Sequence, residues 1–159
     1  MTRLLLALGL VMAAAPAYAG DTQIYGNARF GYLVSYPDKL LAPEQEADNG
    51  DGRRFHARHG SASMSVWGGW LTEGETPSSI AREYMGACAG GTVTYKVVKR
   101  SLEAFSCITA RGRVLYHKTT VRRGARATLE FDYPRAERAI WDPVVKRVAA
   151  SLKQGAPAG

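Results

Sequence analysis

Four consecutive segments in which apolar and polar residues alternate, with tight turns between them, constrain the fold of this chain more than any other feature. They are residues 92–99, 104–109, 113–122 and 127–133. Alternation with a period of two is typical of strands that bury one face, and short turns join antiparallel neighbours. The pattern therefore predicts an antiparallel meander in the second half of the chain.

Three further strands are predicted before the meander. Residues 29–36, 53–58 and 62–70 are strand-like and are bounded by turn-forming residues. Residues 20–27 are interpreted as a polar lead-in and residues 40–47 as an irregular segment.

Two helices complete the predicted domain. Thr76 suits an N-cap and Pro77 the first helical position of one helix, which ends at Gly90. Asp142-Pro143 is predicted to open the second helix. Strands, a helix, a meander and a final helix, in that order, indicate an α+β domain: an antiparallel β-sheet with flanking helices.

Residues 1–19 are predicted to be an export signal. Arg3 precedes an apolar run over residues 4–15, and Ala17 and Ala19 fit a small-x-small cleavage site. The alternative of a membrane anchor requires about 20 apolar residues, more than this run provides. We therefore expect cleavage after Ala19, a single α+β domain over residues 20–159, and a periplasmic or extracellular location.

The formal net charge of +7 favours an anionic partner. In the cell envelope such partners are acidic lipid head groups and anionic polymers, whereas nucleic acid is a poor candidate for an exported protein. The alternative is that the charge only keeps the protein soluble.

Several stretches resemble a known fold. They are residues 27–32 (NARFGY), 36–37 (YP), 48–52 (DNGDG), 114–119 (VLYHKT), 141–145 (WDPVV) and 151–152 (SL). In these stretches the chain resembles uncharacterised exported bacterial proteins that share the fold of the photosystem II extrinsic protein PsbP and of a yeast Ran-binding import factor. The resemblance implies a PsbP-like fold and a non-catalytic accessory or binding domain. It implies no cofactor, because the functional residues of PsbP have no match in this chain.

Cys88 and Cys107 are predicted to form a disulfide. Cys88 continues the apolar stripe of Ile80 and Tyr84 on the first helix, and Cys107 lies in a strand on the face of Phe105. Two cysteines in an exported chain usually pair, because the compartment is oxidising. Two buried free thiols are the alternative.

Acidic and histidine residues offer two metal motifs of low specificity. Asp48, Asn49 and Asp51 lie in a turn, but they do not fit the register of an EF-hand loop. His56 and His59 are three residues apart on a strand and a turn, where their rings do not reliably converge. A plain turn and isolated surface histidines are the preferred interpretations, so no metal or other cofactor is expected.

Catalysis receives little support from the sequence. Ser61 and Ser63 are close to His59, but no carboxylate can be named to orient the imidazole, and no nucleophile motif is present. Trp67 and Trp70 suit either a ligand-binding surface or strand packing, and packing is preferred. No catalytic residue is predicted, and a hydrolase of unrecognised type is the alternative function.

The turn between the last two strands fixes their predicted register. With Gly124 and Ala125 in a two-residue loop, His117 faces Asp132, on the face opposite Leu129. We interpret the His117–Asp132 pair as a structural contact between strands, with catalysis as the alternative.

The meander is also predicted to gather basic residues. Successive turns alternate between the two ends of a sheet, so the turns near residues 100 and 124 share one end. The cations there, called the basic end below, are Lys99, Arg100, Arg122, Arg123 and Arg126. They favour an anionic polymer or a membrane surface as partner, with a solvated rim as the alternative. The predicted function is an exported, non-catalytic binding or accessory domain that takes anionic envelope components.

Overall fold

The computed structural model describes residues 22–157, so the predicted export signal lies outside the described residues. The strands are β1 (Thr22–Asn27), β2 (Tyr32–Pro37), β3 (Leu41–Glu46), β4 (Gly52–Ala57), β5 (Ser63–Trp70), β6 (Thr92–Lys99), β7 (Leu102–Ile108), β8 (Arg113–Arg122), β9 (Ala125–Pro134) and β10 (Lys153–Gln154). The α-helices are α1 (Pro77–Tyr84), followed by a 3-10 turn over Met85–Cys88, and α2 (Arg138–Ser151). Neither helix of the described residues is long and apolar enough to cross a membrane.

The strands form two antiparallel sheets. A seven-stranded sheet has the order β3-β4-β5-β9-β8-β7-β6, and a three-stranded sheet has the order β1-β2-β10. Helix α1 packs on one face of the large sheet, against β7 and β8. Helix α2 and the small sheet cover part of the other face. The predicted α+β class is confirmed, with a second sheet added.

Two strands occupy segments that were predicted to lack regular structure. β1 lies in the predicted polar lead-in, and β3 lies in the predicted irregular segment. Neither strand alternates cleanly, because β1 exposes Ile24 and β3 contains Pro43 beside a register shift. Both strands are edges of their sheets, where proline and polar residues are tolerated.

Helix α2 begins at Arg138, earlier than the predicted start at Asp142-Pro143, and Pro143 lies inside it. The contacts of Trp141 explain the difference. Its ring is buried, and its Nε1–H donates to Glu137 Oε2 over 2.9 Å, which anchors the chain before the proline. Pro143 itself is exposed and is the sixth residue of the helix, so its missing N–H removes one hydrogen bond, to the carbonyl four residues earlier.

The β8–β9 hairpin is offset by two residues from the prediction. Arg122 pairs with Ala125, so the loop consists of Arg123 and Gly124. Arg123 has a φ of 52° and Gly124 a φ of 76°, as a type I′ turn requires. The predicted loop was wrong because it placed Ala125, whose Cβ disfavours positive φ, at a position that glycine fills without strain.

The offset changes the partner of His117. The prediction that it faces Asp132 is wrong: His117 pairs with Glu130, and Asp132 lies opposite Leu115. Asp132 forms an ion pair with Arg113 instead. An offset of two residues preserves the alternation of side chains, so His117 and Asp132 still share the face that was predicted for both.

Two cores result from this architecture. The large core fills the space between the two sheets and α2, with Phe131 at 0% exposure near its centre. The small core lies beneath α1 and contains Phe105. The predicted Cys88–Cys107 disulfide is formed there, with Cα atoms 5.9 Å apart, and it joins the end of the α1 segment to β7.

Candidate functional site

An open groove lies on the α2 side of the large sheet. It exists because the buried stripe of α2 packs mainly over β2 and β9, which leaves much of β6 and β7 uncovered on this side. Strands β6 to β9 form its floor, and α2 forms its wall. Its volume of about 530 Å³ falls within the usual range for small-molecule sites, roughly 300–1,000 Å³.

Most of the groove lining is apolar. The residues come from one side of the strands, with two consecutive residues at the register shift of β6, and from one side of the helix: Thr94, Tyr95, Val97, Leu102, Ala104, Ser106, Ile108, Val114, Tyr116, Lys118, Tyr133, Arg138, Asp142, Val145, Lys146, Ala149 and Ala150. Tyr95 is 50% exposed and stands at the open side. The groove therefore presents an apolar surface that solvent can reach.

The charged residues of the lining leave a positive excess. Asp142 Oδ2 lies 2.9 Å from Arg138 Nη2, and Asp142 Oδ1 accepts a 2.7 Å hydrogen bond from the Tyr133 hydroxyl. The charge of Asp142 is therefore balanced by Arg138. Lys118 and Lys146 have no carboxylate partner in the lining, so the groove favours an anionic group beside them.

Lys118 is held at the boundary between sheet and helix. Its Nζ donates to the carbonyl oxygen of Ala149 on α2. Burial lowers the pKa of Lys118, because the charged form loses part of its hydration. An ammonium has three N–H donors, so two remain for an anion. A bound anion would also stabilise the charge of Lys118 in place of the hydration that burial removes.

The opposite face of the sheet holds a stacked histidine. His117 has no exposed surface, and its ring lies between Tyr84 of α1, at 4.4 Å between centroids, and Phe105 of β7, at 5.0 Å. Trp67 approaches the same ring edge-on at 6.3 Å. Aromatic contacts on both sides fix the imidazole plane and seal it beneath α1.

Polar residues surround the edge of that imidazole; with His117 they are called the histidine cluster, which comprises His117, Glu103, Glu130, Thr119 and Thr128. Nδ1 of His117 lies 3.3 Å from Glu130 Oε2, and Nε2 lies 3.1 Å from both Glu103 Oε1 and Thr119 Oγ1. The hydroxyls of Thr119 and Thr128 are 3.0 Å apart. Neither Glu103 oxygen accepts a hydrogen bond from the described residues, so its attraction to His117 is chiefly electrostatic.

The cluster favours the charged form of His117. Burial by itself lowers the pKa of His117, but the contacts with Glu103 and Glu130 outweigh burial and leave the pKa above the ordinary 6.5. A hydroxyl, an imidazole and a carboxylate are the residue types of a catalytic triad. Thr119 and His117 have no exposed surface, however, so a substrate reaches neither while α1 is packed in place.

The two turns of the predicted basic end lie side by side. The N–H of Val121 donates to the carbonyl of Ser101 over 2.9 Å and so links the two hairpins. Lys99, Arg100 and Arg123 are exposed at this end.

The other two residues of the basic end make internal contacts. Arg122 is exposed and donates from Nη1 to the carbonyl of Gln154 over 3.0 Å. Arg126 points to the α1 side of the sheet, where it forms an ion pair with Glu75. Four residues of the basic end therefore lie at the same end of the sheet, and Arg126 points to the α1 side. The four are Lys99, Arg100, Arg122 and Arg123.

The two metal motifs are built into local structure. Asn49 Nδ2 donates to Asp51 Oδ2 over 2.8 Å within the turn. His56 Nδ1 lies 3.6 Å from Glu44, and His59 is exposed. Within residues 22–157, no group of three or more potential ligand side chains is arranged to hold a metal ion.

Neither tryptophan considered as a ligand surface lines the groove. Trp67 packs near Tyr84 on the α1 side, at 6.2 Å between ring centroids. Trp70 packs edge-to-face on Phe30 at 5.5 Å and bridges the two sheets. Trp67 therefore serves packing, whereas Trp70 packs on Phe30 with 49% of its surface exposed.

Sequence reasoning missed the groove, although one signal was present. Strand β7 carries apolar or small residues on both faces, with Ala104 and Ser106 alternating with Phe105 and Cys107. A strand of that kind has two buried or ligand-facing sides. Helix α1 accounts for one side, and the groove accounts for the other.

A solved structure has the same arrangement of two antiparallel sheets and two helices. The solution structure of cyanobacterial PsbP (CyanoP) from Synechocystis sp. PCC 6803 matches with a TM-score of 0.62, over 92% of this chain and 100% of that chain. The fold is PsbP-like. At 13% sequence identity, this similarity shows the fold alone. No family model and no curated protein matches the sequence.

Proposed function

We propose that this PsbP-like protein is an exported, non-catalytic binding domain whose groove holds an amphipathic anion. The apolar chain of the ligand lies against the floor of the groove, and its acidic group lies beside Lys118 and Lys146. The open apolar groove with a positive excess is the single observation that carries the proposal. Envelope lipids with acidic head groups have this chemistry.

The lining accounts for both parts of such a ligand. Burying an apolar chain against side chains such as Ile108, Val114 and Val145 contributes roughly 25 cal/mol for each Å² removed from water. A hydrogen bond to the partly buried ammonium of Lys118 adds about 1.5–3 kcal/mol, the usual value for charged groups. Together the two parts favour an anion with a chain over either an ion or a hydrocarbon alone.

The basic end adjoins the groove and is proposed to guide the ligand or a membrane surface to it. Leu102, which lines the groove, pairs with Lys99 at the turn. Exposed cations attract anions over about 8 Å at physiological ionic strength. The residues proposed for this role are Lys99, Arg100, Arg122 and Arg123.

Export and the absence of catalysis are parts of the same proposal. The signal-like pattern over residues 1–19 and the Cys88–Cys107 disulfide support an oxidising compartment, periplasmic or extracellular. The closed packing around Thr119 and His117 supports a structural role for the residue types that hydrolysis requires.

Calorimetric titration with laurate, below its micelle concentration, tests the proposal. Dodecyltrimethylammonium, which has the same chain length and the opposite charge, is the reference ligand. Laurate is expected to bind at least tenfold more tightly. Equal affinity for the two ligands, or no binding of laurate, contradicts the proposal.

A matched pair of variants places the ligand in the groove. Ala150 and Ala139 are both exposed on α2, but only Ala150 lines the groove. Ala150→Glu is expected to weaken laurate binding at least tenfold through charge repulsion, whereas Ala139→Glu changes it less than twofold. Equal effects of the two substitutions would place the ligand elsewhere.

A further inference from the structure

We propose that β6 is a docking edge for a protein partner, which adds an extended acidic segment to the large sheet as a further strand. β6 is the last strand in the order of the large sheet and, among the described residues, has a neighbour on one side only. The backbone N–H and C=O groups of alternate residues therefore face outward, ready to pair with an added strand.

The two edges of the large sheet differ in how they are protected. At β3 the edge contains Pro43 and a register shift, and its side chains include Glu44 and Glu46. Proline, bulges and charges are the usual devices that keep an edge from pairing. β6 has a register shift near Thr94, but it contains no proline and continues regularly from Tyr95 to Lys99.

The side chains of β6 suit an added strand. Val93, Tyr95 and Val98 are 43%, 50% and 38% exposed, which is high for large apolar residues in a strand. By the register with β7, Tyr95 lies on the groove side and Val98 on the α1 side. An added strand would thus find apolar neighbours on both of its faces, and such cross-strand pairs stabilise a sheet.

The charges of β6 select the partner. Lys96 and Lys99 are exposed, Arg100 follows directly, and the strand contains no acidic residue. Glu103, on the next strand, is fully buried against His117 and so does not offset these charges. Lysines on an edge repel a second copy of the same strand. Because Lys96 lies on the α1 side and Lys99 on the groove side, they attract an extended segment that carries Glu or Asp among apolar residues on both of its faces.

Binding of synthetic nine-residue peptides tests this inference by fluorescence anisotropy. One peptide consists of Val, Thr and Glu; the second has Lys in place of Glu; the third has the charge of the first but proline at alternate positions, which prevents strand pairing. The acidic peptide is expected to bind at least tenfold more tightly than the other two. In bound protein, amide hydrogen exchange slows in β6 and not in β3.

Charge-reversed variants locate the site. Lys96→Glu/Lys99→Glu is expected to weaken binding of the acidic peptide at least tenfold. Arg111→Glu/Arg135→Glu makes the same change of charge at exposed residues outside β6 and is expected to change binding less than twofold.

Three results would overturn the inference. They are equal binding of the acidic and proline peptides, equal losses in the two double variants, and self-association of the wild type through β6 in sedimentation experiments. The groove and the β6 edge share Tyr95, but Ala150→Glu distinguishes the two proposals, because it should leave peptide binding intact while it weakens laurate binding.

Discussion

The two faces of the sheet around β7 and β8 differ in polarity and in closure. On the α1 face, the histidine cluster is buried except for Glu130, a disulfide joins the α1 segment to β7, and aromatic rings cover the imidazole. On the α2 face, the lining is mainly apolar and the groove remains open. The residues that look chemically reactive are therefore closed off, while the face that a ligand can reach has the composition of a binding surface.

The contrast assigns different roles to the two faces. A charged imidazole between two carboxylates stabilises the fold only while all partners are present, because a buried charge without its partner is costly. When a ligand covers apolar surface that is exposed in the folded protein, no contact within the protein is broken. We therefore expect substitutions on the α1 face to change stability and substitutions on the α2 face to change binding.

The largest effect is expected from His117→Leu. The substitution removes the cation that compensates Glu103, which is completely buried. Leaving one member of a buried ion pair usually costs about 3–5 kcal/mol, and we expect the free energy of unfolding to fall by that amount. Urea denaturation followed by circular dichroism measures the change.

A double variant separates charge from shape. His117→Leu/Glu103→Leu removes both members of the pair and should recover at least half of the lost stability, since apolar replacements of a buried pair are often neutral. If the double variant is as unstable as the single one, the charge of Glu103 does not explain the loss.

Removal of the disulfide should have the next largest effect. Cys88 and Cys107 are separated by 19 residues in sequence, and a loop of this size contributes roughly 3 kcal/mol by restricting the unfolded chain. The Cys88→Ala/Cys107→Ala variant should lose about that much in urea denaturation. Its affinity for laurate should stay within threefold of the wild type, because the groove lies on the other face. A parallel loss of binding would show that the two faces are coupled.

The strands of the meander, the disulfide and the start of α1 could be foreseen from sequence, and the reasons are mostly local. The alternation of β6 to β9 predicted the meander, and two cysteines that follow a signal-like pattern predicted the disulfide. The capping residues Thr76 and Pro77 likewise marked the start of α1, where the Thr76 side chain accepts from the N–H of Ser79. Apart from the cysteine pair, each of these signals is complete within a few neighbouring residues.

The remainder depends on contacts between distant segments. The groove arises from where α2 crosses the sheet, and the position of α2 depends on Trp141, which no local pattern marks as an anchor. The hairpin register depends on Arg123, which adopts the positive φ of the first loop position. Glu103 lies just outside the predicted strand over residues 104–109, and no local pattern marks it, because its partner His117 is on a neighbouring strand.

A smaller effect is expected in the pH dependence of stability. The pKa of His117 in the folded protein is raised, so the cluster contributes fully below the unfolded value of about 6.5 and loses its contribution as the pH rises through the folded pKa. The free energy of unfolding should therefore decline above pH 6.5, by about 1.4 kcal/mol for each pH unit of the elevation. His117→Gln should abolish this decline. A decline that persists in the variant would assign it to another group.

The smallest effect on stability is expected at Lys118. Lys118→Met keeps the aliphatic length and loses one hydrogen bond to the Ala149 carbonyl. Because burial already disfavours the charged form, the net change in unfolding free energy should stay within about 1 kcal/mol. Laurate affinity should fall at least fivefold in calorimetric titration. A large loss of stability with unchanged affinity would show that Lys118 stabilises the fold and does not bind the ligand.

The most direct test of the difference between the two faces uses a spin-labelled fatty acid anion and amide NMR spectra. The account predicts selective broadening of amide signals at Tyr95 and Ala150, which line the groove on opposite sides. Amides of Pro77–Tyr84 in α1, apart from the proline, should retain their intensity, because the sheet separates them from the ligand. Broadening centred on α1, or uniform broadening of both faces, would contradict the claim that the α2 face is the binding face.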